Sequence, residues 1–256
     1  MNLINRNELF LLEEIVKRNF ASKYKDSVLG VLWSVLRPLL IMIVLTVVFS
    51  TLFDKSIDNY PVYLLCGRCI YDFFTGSVGV AMNSISSNRN ILQKTAAPKH
   101  IFIIGSILSE FINFIITVII LLGVMLVTRA PFYLSIMPLA VIPVISALIL
   151  FTGVGFMLAI MRVYYTDIQH LWGVLTMMLM YASAIFYPMS IIPEPYHDLL
   201  ILNPIYWIID QFRCLMYQGT IPSIHYMANS LLLSVIVLVI GIIIYKKYEK
   251  RVTMKF

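Results

Sequence analysis

What this sequence lacks most is charge. Of its 256 residues only 12% are Asp, Glu, Lys or Arg, while 60% are hydrophobic and the mean hydropathy is +0.89. An average soluble domain is about 25% charged and about 45–50% apolar. The chain therefore cannot coat a water-facing surface, which excludes a soluble globular domain and a disordered chain alike. Cysteine is also scarce: three residues, an odd number, cannot close a fully paired disulfide framework. Strict alternation over about ten residues, the mark of a membrane β-barrel strand, does not occur. Nor does a G-x-x-x-x-G-K-[ST] stretch, so the chain offers no P-loop cradle for ATP. A signal peptide is not expected, because Glu8, Glu13, Glu14, Lys17 and Arg18 interrupt any apolar region near the start.

What is present is a series of long apolar runs. Residues 130–161 and 171–193 contain no Asp, Glu, Lys, Arg or His, and each reaches the roughly 20 residues a helix needs to cross a hydrocarbon core about 30 Å thick. Backbone groups in lipid must be satisfied within the segment, so such runs predict helices. Six spans can be drawn, at 29–53, 60–86, 101–127, 134–161, 171–192 and 226–245. Fourteen of the nineteen basic residues then fall on the side that carries both ends of the chain, against Lys55, Arg129 and Arg213 on the other. Arg37 and Arg68 lie within spans. By the positive-inside rule both termini are expected in the cytoplasm, and the net charge of +6 is read as this bias and not as a nucleic-acid surface.

Two stretches outside the spans stand out. Over 9–20, at about 100° per residue, Leu9, Leu11, Leu12, Ile15, Val16 and Phe20 share one face. Glu13, Glu14, Lys17 and Arg18 share the other, as two i,i+4 pairs. This predicts an amphipathic helix lying in the membrane interface; packing against other protein is the alternative. Residues 193–225 carry short apolar pieces broken by Pro193 and Pro204, which suggest short re-entrant helices on the outer face.

The stretch Tyr24-Lys25-Asp26-Ser27-Val28-Leu29-Gly30-Val31-Leu32-Trp33, with Pro38-Leu39 and a span ending Val48-Phe49-Ser50, resembles the opening of a known family. That family is the membrane subunits of bacterial ABC transporters that export polysaccharides, of the O-antigen and teichoic-acid kind. Asn90-Ile91-Leu92-Gln93-Lys94 with Pro98-Lys99, then Tyr164-Tyr165-Thr166-Asp167-Ile168, then Tyr187-Pro188 and Leu202-Asn203-Pro204-Ile205-Tyr206 with Arg213, agree in order and spacing. Thr166 stands where the family commonly has arginine, and Ala96-Ala97 replaces its usual residues before Pro-Lys. The resemblance implies an all-α integral membrane protein with six transmembrane helices, an N-terminal interface helix and short re-entrant helices between spans five and six. It implies one permease domain over 1–256: an interface helix at 1–27, spans one to five at 28–192, an outer gate region at 193–225, and span six with a basic tail at 226–256. It also implies a homodimer of permeases with two nucleotide-binding ATPase subunits, which would hold ATP and Mg while this chain holds no cofactor. The substrate so implied is a lipid-linked glycan moved across the bacterial cytoplasmic membrane, with membrane lipids as surroundings and no nucleic acid as partner. An exporter of lipids or small molecules, or an intramembrane lipid-processing enzyme, are the competing readings.

Site residues follow in three groups. Arg68 and Asp72 lie four apart in span two, and Glu110 lies deep in span three. An unpaired charge at that depth costs several kcal/mol, so these groups either line a hydrated channel or form a structural ion pair. Trp33, Tyr71, Phe74, Tyr181 and Tyr187 can stack on sugar rings or serve as an interfacial aromatic belt. Through the resemblance, Asn90, Leu92, Lys94, Pro98 and Lys99 are expected to contact the ATPase, and Pro193, Asn203, Pro204, Tyr206 and Arg213 to form the outer gate. Cys66 and Cys69 read as small core residues rather than a redox pair.

Overall fold

The computed structural model describes residues 6–25, 27–53, 57–95 and 97–254. Asp26, Lys55 and Ala96, named above, lie outside the described residues. Among the described residues there is no strand. The helices are α1 (Arg6–Tyr24), α2 (Trp33–Phe53), α3 (Tyr60–Ser87), α4 (Arg89–Lys94), α5 (Lys99–Val127), α6 (Val141–Tyr164), α7 (Ile168–Tyr181), α8 (His197–Ile201), α9 (Pro204–Arg213) and α10 (Ile224–Met254). Among the described residues four segments are long and apolar enough to cross a membrane by length and composition: Gly30–Phe49, Lys99–Val127, Met137–Tyr164 and Ile224–Arg251.

Helix α3 is the axis of the packing. Its start is held by Asn59, left-handed at φ 54°, whose side-chain amide donates to Thr128 Oγ1 at 2.8 Å beyond the end of α5. From there Phe73 stacks on Phe114 of α5 at 4.9 Å between ring centres and meets Phe151 of α6 edge-on at 5.2 Å, while Phe74 meets Trp172 of α7 at 5.3 Å. Such offset and edge-to-face pairs add to the burial of the rings themselves. Cys66 and Cys69 are buried here as free thiols, in keeping with their reading as core residues. On the far side α6 and α10 cross with almost no side chain between them, at Gly153 and Gly241.

Polar contacts show which ends lie together. Arg162 at the end of α6 reaches Asn83 near the end of α3, Tyr164 meets Tyr248 near the end of α10 at 6.1 Å, and Arg18 of α1 donates to Asn88 at 2.7 Å. These contacts gather one basic end of the bundle. The opposite end holds the starts of α3 and α10, the end of α5 and all of α8 and α9.

Helix α1 spends the middle of its apolar face on protein. Ile15, 3% exposed, sits against Gly105 of α5, where a Cβ would come within 2.7 Å of its Cγ2. Leu9 and Phe10 stay exposed. On the polar face Lys17 pairs with Glu13 at 2.7 Å, and that hydrogen bond, more than the charge itself, raises the lysine's pKa. The run expected as a span at 171–192 is helical only to Tyr181, and α7, at 14 residues, is about 21 Å long. The next residues, through Tyr187, are irregular, with Ala184 at φ 47°, and they are buried at 183–186.

Candidate functional site

A cavity of about 440 Å³ lies between the end of α1, the start of α2, and the middles of α3 and α5. It is lined by Lys23, Trp33, Arg37, Arg68, Asp72 and Glu110, with hydroxyl and amide groups from Tyr24, Ser27, Ser34, Thr75, Asn113 and Thr117. Depth along the helices is set by rise per residue. Asp72 is twelve residues past Tyr60, about 18 Å along α3, and Glu110 is eleven past Lys99, about 17 Å along α5. The charges therefore meet halfway along the bundle. Pro38 also lines the cavity; having no N–H, it cannot donate to the carbonyl of Ser34 one turn earlier, so the helix backbone itself is polar at this point.

Two ion pairs hold the walls. Within α3, Arg68 Nη2 lies 2.6 Å from Asp72 Oδ1, with the Asp72 side chain 40% exposed toward the cavity. Between elements, Lys23 Nζ reaches both oxygens of Glu110 at 3.0 and 2.9 Å. Glu110 also accepts from Asn113 Nδ2 at 3.1 Å, and Asn113 Oδ1 accepts from the Tyr24 hydroxyl at 2.8 Å. Lys23 reads in the sequence as an orientation charge beside the membrane. The structure instead uses it to neutralise a buried carboxylate.

This gives a measurable expectation. Lys23→Met should leave Glu110 buried with only Asn113 and cost about 2–3 kcal/mol, less than a fully buried pair because Lys23 is 40% exposed. Adding Glu110→Gln should recover most of that loss. Thermal unfolding of the two single variants and the double variant measures the coupling; additivity within about 0.5 kcal/mol would mean the pair holds nothing.

The expected channel residues separate into three places. Trp33, Arg68, Asp72 and Glu110 share the cavity. Tyr71 and Phe74 are core: the Tyr71 hydroxyl donates to the Thr176 carbonyl of α7, and Phe74 packs on Phe151 and Trp172. Tyr181 and Tyr187 sit at the opposite end, where the Tyr187 hydroxyl donates to the Tyr181 carbonyl and Tyr181 is 52% exposed.

At that end the irregular segment after α7 is satisfied by side chains from far away in sequence. Asn203 Nδ2 donates to the Ala182 carbonyl at 3.1 Å and to Ser183 Oγ at 2.8 Å. Its Oδ1 meanwhile caps α9 by accepting from the Ile205 N–H at 3.0 Å, with Pro204 at the first helical position. Arg213, 3% exposed, donates to the carbonyls of Ala184 and Ile185 at 3.2 Å each, and its guanidinium lies 3.7 Å from the ring centre of Tyr63. Tyr60 and Tyr63 donate to the carbonyls of Phe186 at 3.0 Å and Tyr187 at 2.8 Å. Irregular backbone within a membrane protein needs this kind of cover. Tyr206 donates to Met189 Sδ at 2.9 Å, and Pro193 lies on an exposed turn. Tyr60 and Tyr63 were not expected as site residues; their only sequence signal is two tyrosines flanking a Pro-Val at the mouth of a span.

At the basic end α4 is anchored by buried Leu92, while Asn90, Ile91 and Lys94 face outward and Pro98 and Lys99 are half-buried.

Long apolar helices closed around a charged cavity halfway along their length define a multi-pass membrane protein. More particularly, the chain belongs to the ABC-2 type transporter family, whose model matches residues 11–217. It is 26% identical over 245 residues to the O-antigen export system permease protein RfbA of Klebsiella pneumoniae, covering 94% of this chain and 93% of that protein. It is 25% identical to the protein of the same name from Myxococcus xanthus, over 83% and 82% of the two chains. To the polysialic acid transport protein KpsM of Escherichia coli it is 22% identical, over 93% of each.

Proposed function

We propose that this chain is the membrane-spanning permease of an ABC exporter that carries a lipid-linked polysaccharide out of the bacterial cytoplasm. The reading is carried by its end-to-end similarity to export permeases named for O-antigen and polysialic acid. Two permeases pair with two ATPase subunits, which bind ATP and Mg, since this sequence contains no P-loop. The basic end faces the cytoplasm with both termini, and α4 meets the ATPase through Asn90, Ile91 and Lys94. Six spans follow if α3, 28 residues long, crosses despite Arg68 and Asp72, and α7 crosses together with the irregular segment that extends it. Helix α1 then lies along the cytoplasmic interface, with its last turn drawn inward by Lys23. Helix α2 leaves Leu40, Ile43, Val44 and Val47 exposed, a face for lipid or for the second permease beside the glycan path. Trp33, Tyr181 and Tyr187 would flank that path, and the Asn203–Arg213 assembly would form its outer gate.

The test is a reconstituted complex of this chain with its ATPase in liposomes loaded with lipid-linked glycan. Glycan should appear outside only with ATP, and an ATPase-inactive partner should abolish it. Hydrolysis without glycan transfer, or transfer of plain lipid or small molecules instead, would remove the export reading.

A further inference from the structure

Among the described residues the cavity is lined by three cations and two carboxylates, and the pairing leaves one charge over. Lys23 is taken by Glu110 and Arg68 by Asp72, each within 3.0 Å. Arg37, on the first turns of α2, lines the same cavity and has no hydrogen-bond or ion-pair partner among the described residues. Arg37 is exposed and sits about 6 Å along α2 by helical rise; it faces the open space of the cavity, where its charge also acts on Asp72. Around it stand the indole of Trp33 and the hydroxyls of Ser34 and Thr75. The volume, about 440 Å³, falls within the range of small-ligand sites.

From this surplus we infer that the cavity is a subsite for one monoanionic oxyanion carried on the glycan, a sugar carboxylate or a phosphodiester, with Arg37 as its ligand. Charge selects the class. One guanidinium without an ion pair among the described residues matches one negative charge, and its planar fork of donors matches the two oxygens of a carboxylate or phosphodiester. A neutral polymer would leave Arg37 unpaired; a group with several charges would have to pull Lys23 or Arg68 from its carboxylate. The remaining wall fits a sugar, with an aromatic face for the ring and hydroxyls for its rim. The inference rests on the export reading and narrows it to an acidic polymer at this site.

The experiment uses the full chain with its ATPase partner in nanodiscs. The probes are a glucuronate-containing oligosaccharide, the same oligosaccharide with its carboxyl groups reduced to alcohols, and a phosphodiester-linked oligosaccharide, each titrated by calorimetry. The acidic probe, or the phosphodiester probe, should bind about ten-fold or more tightly than the reduced one, the size expected of a charge-assisted hydrogen-bonded pair. Which of the two does so identifies the source of the anion. Arg37→Gln should erase the preference and Arg37→Lys should keep part of it, with both variants unfolding at the unmodified protein's temperature. Equal binding of acidic and reduced probes, or a preference that survives Arg37→Gln, overturns the subsite while leaving export intact. If no probe binds and the liposome complex moves no glycan, the export reading falls and takes the subsite with it.

Discussion

Gly241→Val is expected to yield a chain whose α6 and α10 no longer pack, with loss of the monodisperse folded protein. The reason is the distance of approach. A Cβ on Gly241 would collide with the backbone carbonyl of Gly153, and one on Gly153 would lie 2.7 Å from the backbone of Leu238. Neither obstacle is a side chain that can rotate away. Lipid tails are as apolar as leucine, so helices in a membrane gain little by hiding apolar area from it; they gain by close backbone contact, which small residues permit. Gly241→Ala, the mildest case, should cost about 3 kcal/mol, at the upper end for overpacking, and lower the apparent unfolding temperature by about 6–12 °C. Valine should exceed that. Gly123→Ala on α5 is the internal control: no atom lies within 4 Å of the added Cβ, so it should be neutral or slightly stabilising through helix propensity. Fluorescence-detected size exclusion with a thermal ramp reads all three. Equal behaviour of Gly241→Ala and Gly123→Ala would mean that the two helices do not meet as described.

How far the sequence reveals such features depends on whether their cause is local. The helices that cross are legible because an uncharged run needs no partner to be recognised, and Arg68, Asp72 and Glu110 stand out because charge in such runs is rare. Their pairing is only partly legible. Arg68 and Asp72 are four apart on one helix, so their contact follows from helical geometry. Glu110 finds Lys23 only because α1 runs along α5, with Ile15 seated at Gly105, and nothing in a helical wheel says on what its apolar face will rest. Arg37 reads in the sequence only as a basic residue within the first span, and its place in the cavity shows once α3 and α5 are set beside it. The early end of α7 is the clearest case of distant causation. Residues 171–193 contain no charge, and no proline before Pro188, so a longer helix is the local expectation. The helix stops because Tyr60, Tyr63, Asn203 and Arg213, from three other parts of the chain, accept the cost of unwound backbone by hydrogen-bonding its carbonyls.

Arg213→Met should therefore be the most damaging single change at the end opposite the basic one. It removes both donors to the Ala184 and Ile185 carbonyls. Each acceptor left buried without a partner costs about 1–3 kcal/mol, so the two together cost about 2–6 kcal/mol. Tyr63 offsets little of this, since its hydroxyl lies 3.4 Å from the Ala184 carbonyl and is already committed to Tyr187 at 2.8 Å. The stacked guanidinium over the Tyr63 ring is lost as well. Arg213→Lys keeps the charge but not the planar fork, and it should recover less than half of the lost stability. A second substitution reaches the same contact without touching the arginine. Gly67 of α3 faces Arg213, and a Cβ there would lie 2.7 Å from its Nη2, so Gly67→Ala should displace the guanidinium and mimic Arg213→Lys. Combined with Arg213→Met, Gly67→Ala should add little further loss, because the group it displaces is already gone. Non-additivity of that kind, read as unfolding temperatures of the single and double variants, would place Arg213 and Gly67 in one contact. Simple additivity would separate them, and the irregular segment would then owe its shape to Asn203 and the two tyrosines alone.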